Sequence, residues 1–416
     1  MPHPPLSGQT LLDRSEALAA ISAEDGRLSR HYLTPEHRRA NDLVAAWMAE
    51  AGMATREDAL GNIIGRYEGE TPGLPALLIG SHLDTVRDAG KYDGMLGVLS
   101  GVAVVADLRA RGRRLPFAIE VVGFGDEEGV RFQSTLIGSR AIAGTFDPAV
   151  LDSRDADGTR LADALAAFGL DPAAWASAAH APDRVLGYVE LHIEQGPVLE
   201  ALGQPVGIVT AIAGATRLAV TVEGFAGHAG TVPMTLRRDA LAASAEMILA
   251  VESLCSGQER LVGTVGRIEA TPGATNVIAG RVRFTIDLRA DRDALRLERV
   301  AAVRARLEAI ADQRGVAIAI EPLHDSPAVA CCPALMAQLA ASARALGLEA
   351  PELPSGAGHD AMAMAALTDV AMLFVRCERG ISHNPAERIT PADAEQGVRV
   401  LAHFVDHFQP ASDRRS

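Results

Sequence analysis

Four short apolar runs, each leading into a cluster of histidine or acidic residues, constrain this 416-residue chain more than any other feature. They are Ala76-Leu77-Leu78-Ile79-Gly80, Phe117-Ala118-Ile119-Glu120-Val121-Val122-Gly123, the run ending Tyr188-Val189-Glu190-Leu191-His192, and Val370-Ala371-Met372-Leu373-Phe374-Val375. Runs of this length, apolar on both faces, are the pattern of strands buried inside a sheet. Helical segments flank them, from Thr34-Pro35 to about Gly52 before the first and from Pro391 to about Phe408 after the last, and one from about Gly94 onward separates the first two. Threonine before proline is a cap followed by a first-turn residue. The alternation predicts α/β layers.

The middle of the chain has a different texture. Arg217 to Glu223 and Arg281 to Arg289 alternate apolar and polar, as strands with one wet face do, and Val316 to Ile320 closes the set. Helical patterns cover about Arg238 to Leu254 and about Asp293 to Gln313. Two helices on a small, mainly antiparallel sheet predict a separate α+β domain at 212–325, inserted into a larger one formed by 1–211 and 326–416. A chain of 416 residues suits two domains.

Composition removes several function classes. A net charge of −14 argues against nucleic acid, which needs clustered Lys and Arg against phosphate. No apolar run reaches the ~20 residues needed to span a bilayer. The opening Met1-Pro2-His3-Pro4-Pro5 has neither the basic nor the apolar segment of a secretory signal, so a cytoplasmic location is expected. Cys255, Cys331, Cys332 and Cys377 have no metal-type spacing and are expected to be plain thiols, mostly buried.

The polar clusters fall where the expected strands end, the edge at which open α/β sheets bind ligands. After the first strand come Ser81-His82-Leu83-Asp84 and then Tyr92-Asp93-Gly94; after the second, Gly125-Asp126-Glu127-Glu128-Gly129. The third supplies His192-Ile193-Glu194-Gln195-Gly196, and the fourth precedes Gly380-Ile381-Ser382-His383. Imidazole and carboxylate donors without cysteine suit catalytic divalent ions better than a structural zinc. A carboxylate between two such ions can bridge them. The simpler readings are a solvated acidic pair at Glu127-Glu128, and Asp93 as a helix cap. His3, His31, His37, His180, His403 and His407 are expected to be ordinary surface or core histidines.

These motifs resemble the M20 metallohydrolases over about Leu11 to Phe408, specifically the amidase branch of N-carbamoyl-L-amino acid hydrolases, allantoate amidohydrolases and ureidoglycolate amidohydrolases. The resemblance implies a mixed-sheet, helix-covered binuclear metallohydrolase domain with an inserted lid and dimerisation domain. It implies His82, Asp93 and His192 on one ion, and Asp93, Glu128 and His383 on the other. Glu127 would be the general base and Asp84 would orient His82. In the insert, His228 and Asn276 would polarise the scissile carbonyl, and Arg289 would grip a substrate carboxylate through its planar fork. Gln195 is expected to reach the substrate, and Gly358 to stand in the pocket wall formed by Ser355 to Asp360. Arg217, in Gly214-Ala215-Thr216-Arg217, tips the substrate expectation from N-carbamoyl-L-amino acids toward allantoate. Two ions per subunit are implied, Zn²⁺ or Mn²⁺ with Co²⁺ or Ni²⁺ as alternatives, together with a homodimer and products that include ammonia and carbon dioxide. The competing readings are a metallo-exopeptidase or aminoacylase of the same superfamily and a non-catalytic metal-bound receptor or scaffold.

Overall fold

A computed structural model describes residues 6–410, so His3 and the opening Met1-Pro2-His3-Pro4-Pro5 lie outside the described residues. The chain forms two compact units. The first comprises the chain up to Thr210, Cys331–Leu353 and Gly358 onward; the second comprises Ala211–Ala330 and Pro354–Ala357. Strands are numbered in chain order. They are β1 (Ala54–Glu57), β2 (Ile63–Tyr67), β3 (Ala76–His82), β4 (Ala118–Phe124), β5 (Val185–Ile193), β6 (Val206–Ile212), β7 (Gly214–Glu223), β8 (Gly227–His228), β9 (Leu261–Thr271), β10 (Val277–Ile278), β11 (Arg281–Ala290), β12 (Ala317–Ser326), β13 (Val329–Ala330), β14 (Glu352–Ser355) and β15 (Val370–Val375).

The first unit is built on a mixed sheet whose path runs β1-β2-β4-β3-β5-β15-β6. Its centre is parallel: β3 pairs with β4 and with β5, and β5 pairs with β15. The flanking β2 and β6 are antiparallel to their inner neighbours. All seven residues of β3 and of β4 are buried, as are the six of β15, which is why these segments read as unbroken apolar runs. Parallel pairing points all four central strands the same way, so the polar segments that follow them emerge at one edge. Register sharpens this, because His82 pairs with Phe124 and His192 with Phe374.

The helix Met95–Ala110 lies in the core, with Met95, Leu96, Val98, Leu99, Val102 and Val105 all buried. The helix Pro35–Glu50 starts on Thr34, whose Oγ1 accepts the His37 N–H, and Pro391–His407 starts on Thr390 in the same manner, accepting the Asp393 N–H.

The second unit is an antiparallel sheet in the order β12-β7-β11-β9. Helices Ala240–Cys255 and Asp293–Arg314 give Ala243, Met247, Val251, Val303, Leu307 and Ile310 to a core shared with Leu218, Val220, Val222, Phe284 and Ile286. A small ribbon pairs His228 of β8 with Val277 of β10. Among the described residues, no helix is long and apolar enough to cross a membrane.

Candidate metal centre and insert residues

Asp93 is the hub of the first unit's polar edge. It is 5 % exposed, and its two oxygens face different partners. Oδ1 lies 3.1 Å from His192 Nε2 and 3.7 Å from His82 Nε2. Oδ2 lies 3.2 Å from His383 Nε2, which in turn is 3.3 Å from Glu128 Oε1. Among the described residues, the groups able to hold an ion include His82 with Asp93 and His192, Asp93 with Glu128 and His383, His82 with Glu127 and Glu128, and Glu190 with His192 and His359.

The local chain explains how this set is presented. Gly94, at φ 75°, precedes the first turn of Met95–Ala110, and a Cβ there would stand 2.5 Å from the His82 ring. Glycine therefore caps this helix, and the Asp93 carboxylate stays available for the histidines. His82 Nδ1 donates to the main-chain carbonyl of Asp84 (2.9 Å), and His192 Nδ1 donates to that of Ile193 (2.9 Å). A carbonyl can only accept, so Nδ1 carries a proton in both rings and each Nε2 faces Asp93.

The sequence pattern gave the Asp84 carboxylate to His82, but it stands 3.8 Å from that ring and instead accepts the main-chain N–H groups of Glu127 (3.1 Å) and Glu128 (3.2 Å). Asp84 thus shapes the loop that carries the two glutamates.

The donor set fits divalent ions. Two imidazole nitrogens facing one carboxylate oxygen call for positive charge among them, as ring protons or as a bound cation. The spacings of 3.1, 3.2, 3.3 and 3.7 Å also bracket the edge of about 3.4 Å of a tetrahedron with the usual arms of about 2.0–2.1 Å. Electrostatics point the same way. Burial works against the His82 imidazolium, yet Asp93, Glu127 and Asp84 hold its pKa well above the ordinary value. Hydrogen bonds to Asp93 and Glu128 raise His383 to about 10. Burial opposes ionisation of Asp93, but His192, His383 and His82 hold its carboxyl well below the usual range. Glu127 goes the other way: burial pushes it well above, His82 resists, and Glu128, Asp360 and Asp84 add to the rise.

Gln195 donates through Nε2 to Asp93 Oδ2 (3.0 Å) and to Ser382 Oγ (3.1 Å), so its amino group is committed to the protein. Gly358 lies beside the base candidate, since a Cβ there would stand 3.8 Å from Glu127 Oε1. His359 is buried with its ring edge-on to His192 at 4.5 Å. Glu387 escaped the sequence reading, and Ser382 stood in it without a role. The available signal was an acidic residue four positions after His383, in a loop with Pro385.

The second unit brings its expected residues together in two pairs. His228 lies in β8 and Asn276 directly before β10, and the Ala229 N–H donates to the Asn276 carbonyl at 2.9 Å. The Gly230 N–H donates to His228 Nδ1 at 3.0 Å, which leaves the proton on Nε2 and makes the exposed edge of the ring a donor. Arg217 and Arg289 meet at Asp287. Arg289 donates Nε to Asp287 Oδ1 (2.9 Å) and Nη2 to Oδ2 (3.0 Å), while Arg217 Nε donates to Oδ2 at 3.0 Å. Arg289 Nη1 also donates to the Gly356 carbonyl at 2.8 Å. Both guanidinium groups line a cavity of about 570 Å³ with Thr264, Leu323 and Gly356.

The sequence profile of peptidase family M20/M25/M40 matches residues 78–407. An N-carbamoyl-L-amino acid amidohydrolase of Geobacillus stearothermophilus is 45 % identical over 401 residues, covering 96 % of this chain and 98 % of that one. An allantoate deiminase of Arabidopsis thaliana is 43 % identical, covering 94 % and 81 %. A hydantoinase/carbamoylase family amidase of Burkholderia multivorans superposes with a TM-score of 0.91 at 33 % identity, covering 97 % and 98 %. The chain belongs to the peptidase M20/M25/M40 family and, within it, to the hydrolases that cut carbon–nitrogen bonds other than peptide bonds.

Proposed function

We propose that the chain is a binuclear-metal amidohydrolase. It would hydrolyse the ureido or carbamoyl C–N bond of a small carboxylate substrate, allantoate or an N-carbamoyl-L-amino acid, with release of ammonia and carbon dioxide. The observation that carries the reading is the division of Asp93, Oδ1 toward His82 and His192, Oδ2 toward His383. One carboxylate between two donor groups is how a protein bridges a pair of ions. In this reading His82, Asp93 and His192 hold one ion, and Asp93, Glu128 and His383 hold the other. Zn²⁺ or Mn²⁺ suits such nitrogen and oxygen donors, as do Co²⁺ and Ni²⁺. Bound there, the ions acidify water and polarise a carbonyl.

The remaining work falls to the chain. Glu127, set in its loop by Asp84, takes the proton of the attacking water and passes it to the departing nitrogen. His228 donates from Nε2 to the carbonyl oxygen as negative charge develops there, and Asn276 adds a second polar contact. Arg289 has N–H groups to spare after its bonds to Asp287 and Gly356, and these grip the substrate carboxylate. Arg217 adds positive charge beside it. Gln195, with its amino group on Asp93 and Ser382, serves the bridging carboxylate first and offers only its oxygen to a substrate. Residues 212–325 act as lid and dimerisation domain of a homodimer, in which one subunit's insert completes the site of its partner.

The deciding experiment measures ammonia released from allantoate, several N-carbamoyl-L-amino acids and other ureido acids, beside amino-acid release from dipeptides. Ammonia from ureido acids is expected. Turnover of dipeptides with no ammonia from any ureido acid would replace this reading with the exopeptidase one.

A further inference from the structure

We propose that Glu387 is a positioning residue of the metal centre, holding Asp93 through the main chain on one side and through the Ser382 hydroxyl on the other; this rests on the metal-centre reading above. Glu387 is 2 % exposed. Its Oε1 accepts the main-chain N–H groups of Tyr92 (2.8 Å) and Asp93 (3.2 Å). Its Oε2 lies 3.1 Å from Ser382 Oγ, and that same hydroxyl lies 2.7 Å from Asp93 Oδ2. Gln195 Nε2 donates to the Ser382 oxygen, so the single hydroxyl hydrogen is shared between the two carboxylates, with Asp93 the nearer. The turn before Tyr92 wraps the Glu387 side chain so tightly that only glycine fits at Gly90.

Glu387 therefore ties together the two segments that present ligands. One is the Tyr92-Asp93 turn. The other is the Ser382-His383 turn, where His383 itself adopts φ 54°. A carboxylate at this depth is costly unless its oxygens are satisfied, and three donors satisfy this one. Two buried carboxylates sharing one hydroxyl also repel, an arrangement suited to a place where positive charge lies alongside. The consequence concerns aim. With Oδ2 of Asp93 held by Ser382 and Gln195, and its main chain held by Glu387, Oδ1 stays turned to His82 and His192 and Oδ2 to His383.

The test titrates the metal-stripped full chain with Zn²⁺ against a chromophoric chelator and records the melting of the stripped form alongside. In Glu387→Gln the amide oxygen still accepts both main-chain N–H groups, but the amino group cannot accept from Ser382. The expected result is a nearly unchanged melting temperature without metal and a fall in affinity for at least one ion of about 10–100-fold, the scale for lost partners of metal ligands. Ser382→Ala leaves the carboxylate in place and should lower affinity in the same direction. The double variant should lose less than the product of the two single losses, because both interrupt one path. Affinities within about twofold of wild type in both single variants would overturn the proposal, since coupled partners are expected to move them further. So would a loss in Glu387→Gln that only follows unfolding of the stripped form, with Ser382→Ala unaffected. A wild-type chain that binds no Zn²⁺ refutes the metal-centre reading and this inference with it, whereas equal affinities in wild type and variants refute this inference alone.

Discussion

At the scale of the residue, neighbouring side chains of one type are given different work by where their atoms point. Glu127 is buried and faces Gly358, while Glu128 is within 3.3 Å of His383. Glu127→Gln should keep its metal and lose at least ~100-fold in turnover, the scale of a positioned general base. Glu128→Ala should release an ion instead. Metal analysis beside turnover separates the two, and a Glu127→Gln enzyme that is fast or metal-poor would exchange the assignments. The same logic applies to Asp287, which fixes Arg289 with two hydrogen bonds. Arg289→Ala should raise KM for carboxylate substrates and leave an amide without the carboxylate little changed. Arg289→Lys should restore it only in part, because charge without the fork is a poorer clamp. Asp287→Asn should act in the same direction as Arg289→Ala. An equal loss on both substrates would make Arg289 a structural residue.

At the scale of the element, the central strands were legible because burial on both faces leaves an unmistakable apolar run, as in β15. The strand β9 was not, since most of its residues are exposed and no period marks it. The β4 strand also carries a buried charge inside its apolar run. Glu120 is 6 % exposed, accepts a hydrogen bond from Arg66 at 2.9 Å and meets His180 Nε2 at 2.9 Å. Burial opposes its ionisation, but His180 and Arg66 bring the carboxyl down from an ordinary 4.5 to about 2. A pKa depressed in the folded state adds stability that is complete above the unfolded value and is lost as pH falls through the folded one. Glu120→Gln should therefore be less stable than wild type near neutrality, with the gap narrowing between about pH 4.5 and about pH 2. Denaturant midpoints across that window measure it, and a gap that stays constant would remove Glu120 as the source. The helix caps give a simpler case: Thr390→Ala should cost about 1 kcal/mol of stability, read from the same midpoints.

At the scale of the whole molecule, two consequences of the proposed function can be measured. Chelation should abolish activity, and Mn²⁺, Co²⁺ or Zn²⁺ should restore it; full turnover by a chain verified to be metal-free would end the two-ion mechanism. In the proposed dimer, His228 of one subunit serves the metal centre of the other, so an inactive Glu127→Gln chain mixed with an inactive His228→Ala chain should regain activity. One site of each mixed dimer then holds both residues. A mixture that stays inactive, with exchange demonstrated by mass, would confine His228 to its own chain.

The sequence by itself determined which residue types end the buried strands, because apolar runs and the polar motifs after them are contiguous in the chain. The resemblance that those motifs carry then implied His82, Asp93, Glu127, Glu128, His192 and His383 as one candidate set. Tertiary structure alone decided which atom meets which. The donor of His82 goes to a main-chain carbonyl two residues on, while the Asp84 carboxylate serves the Glu127-Glu128 loop. No spacing rule distinguishes a side-chain oxygen from a main-chain oxygen on the same residue. Glu387 was invisible for a different reason: it reaches Tyr92 and Asp93 across nearly three hundred positions, and only the packing of two distant turns reveals that its carboxylate is shared between them.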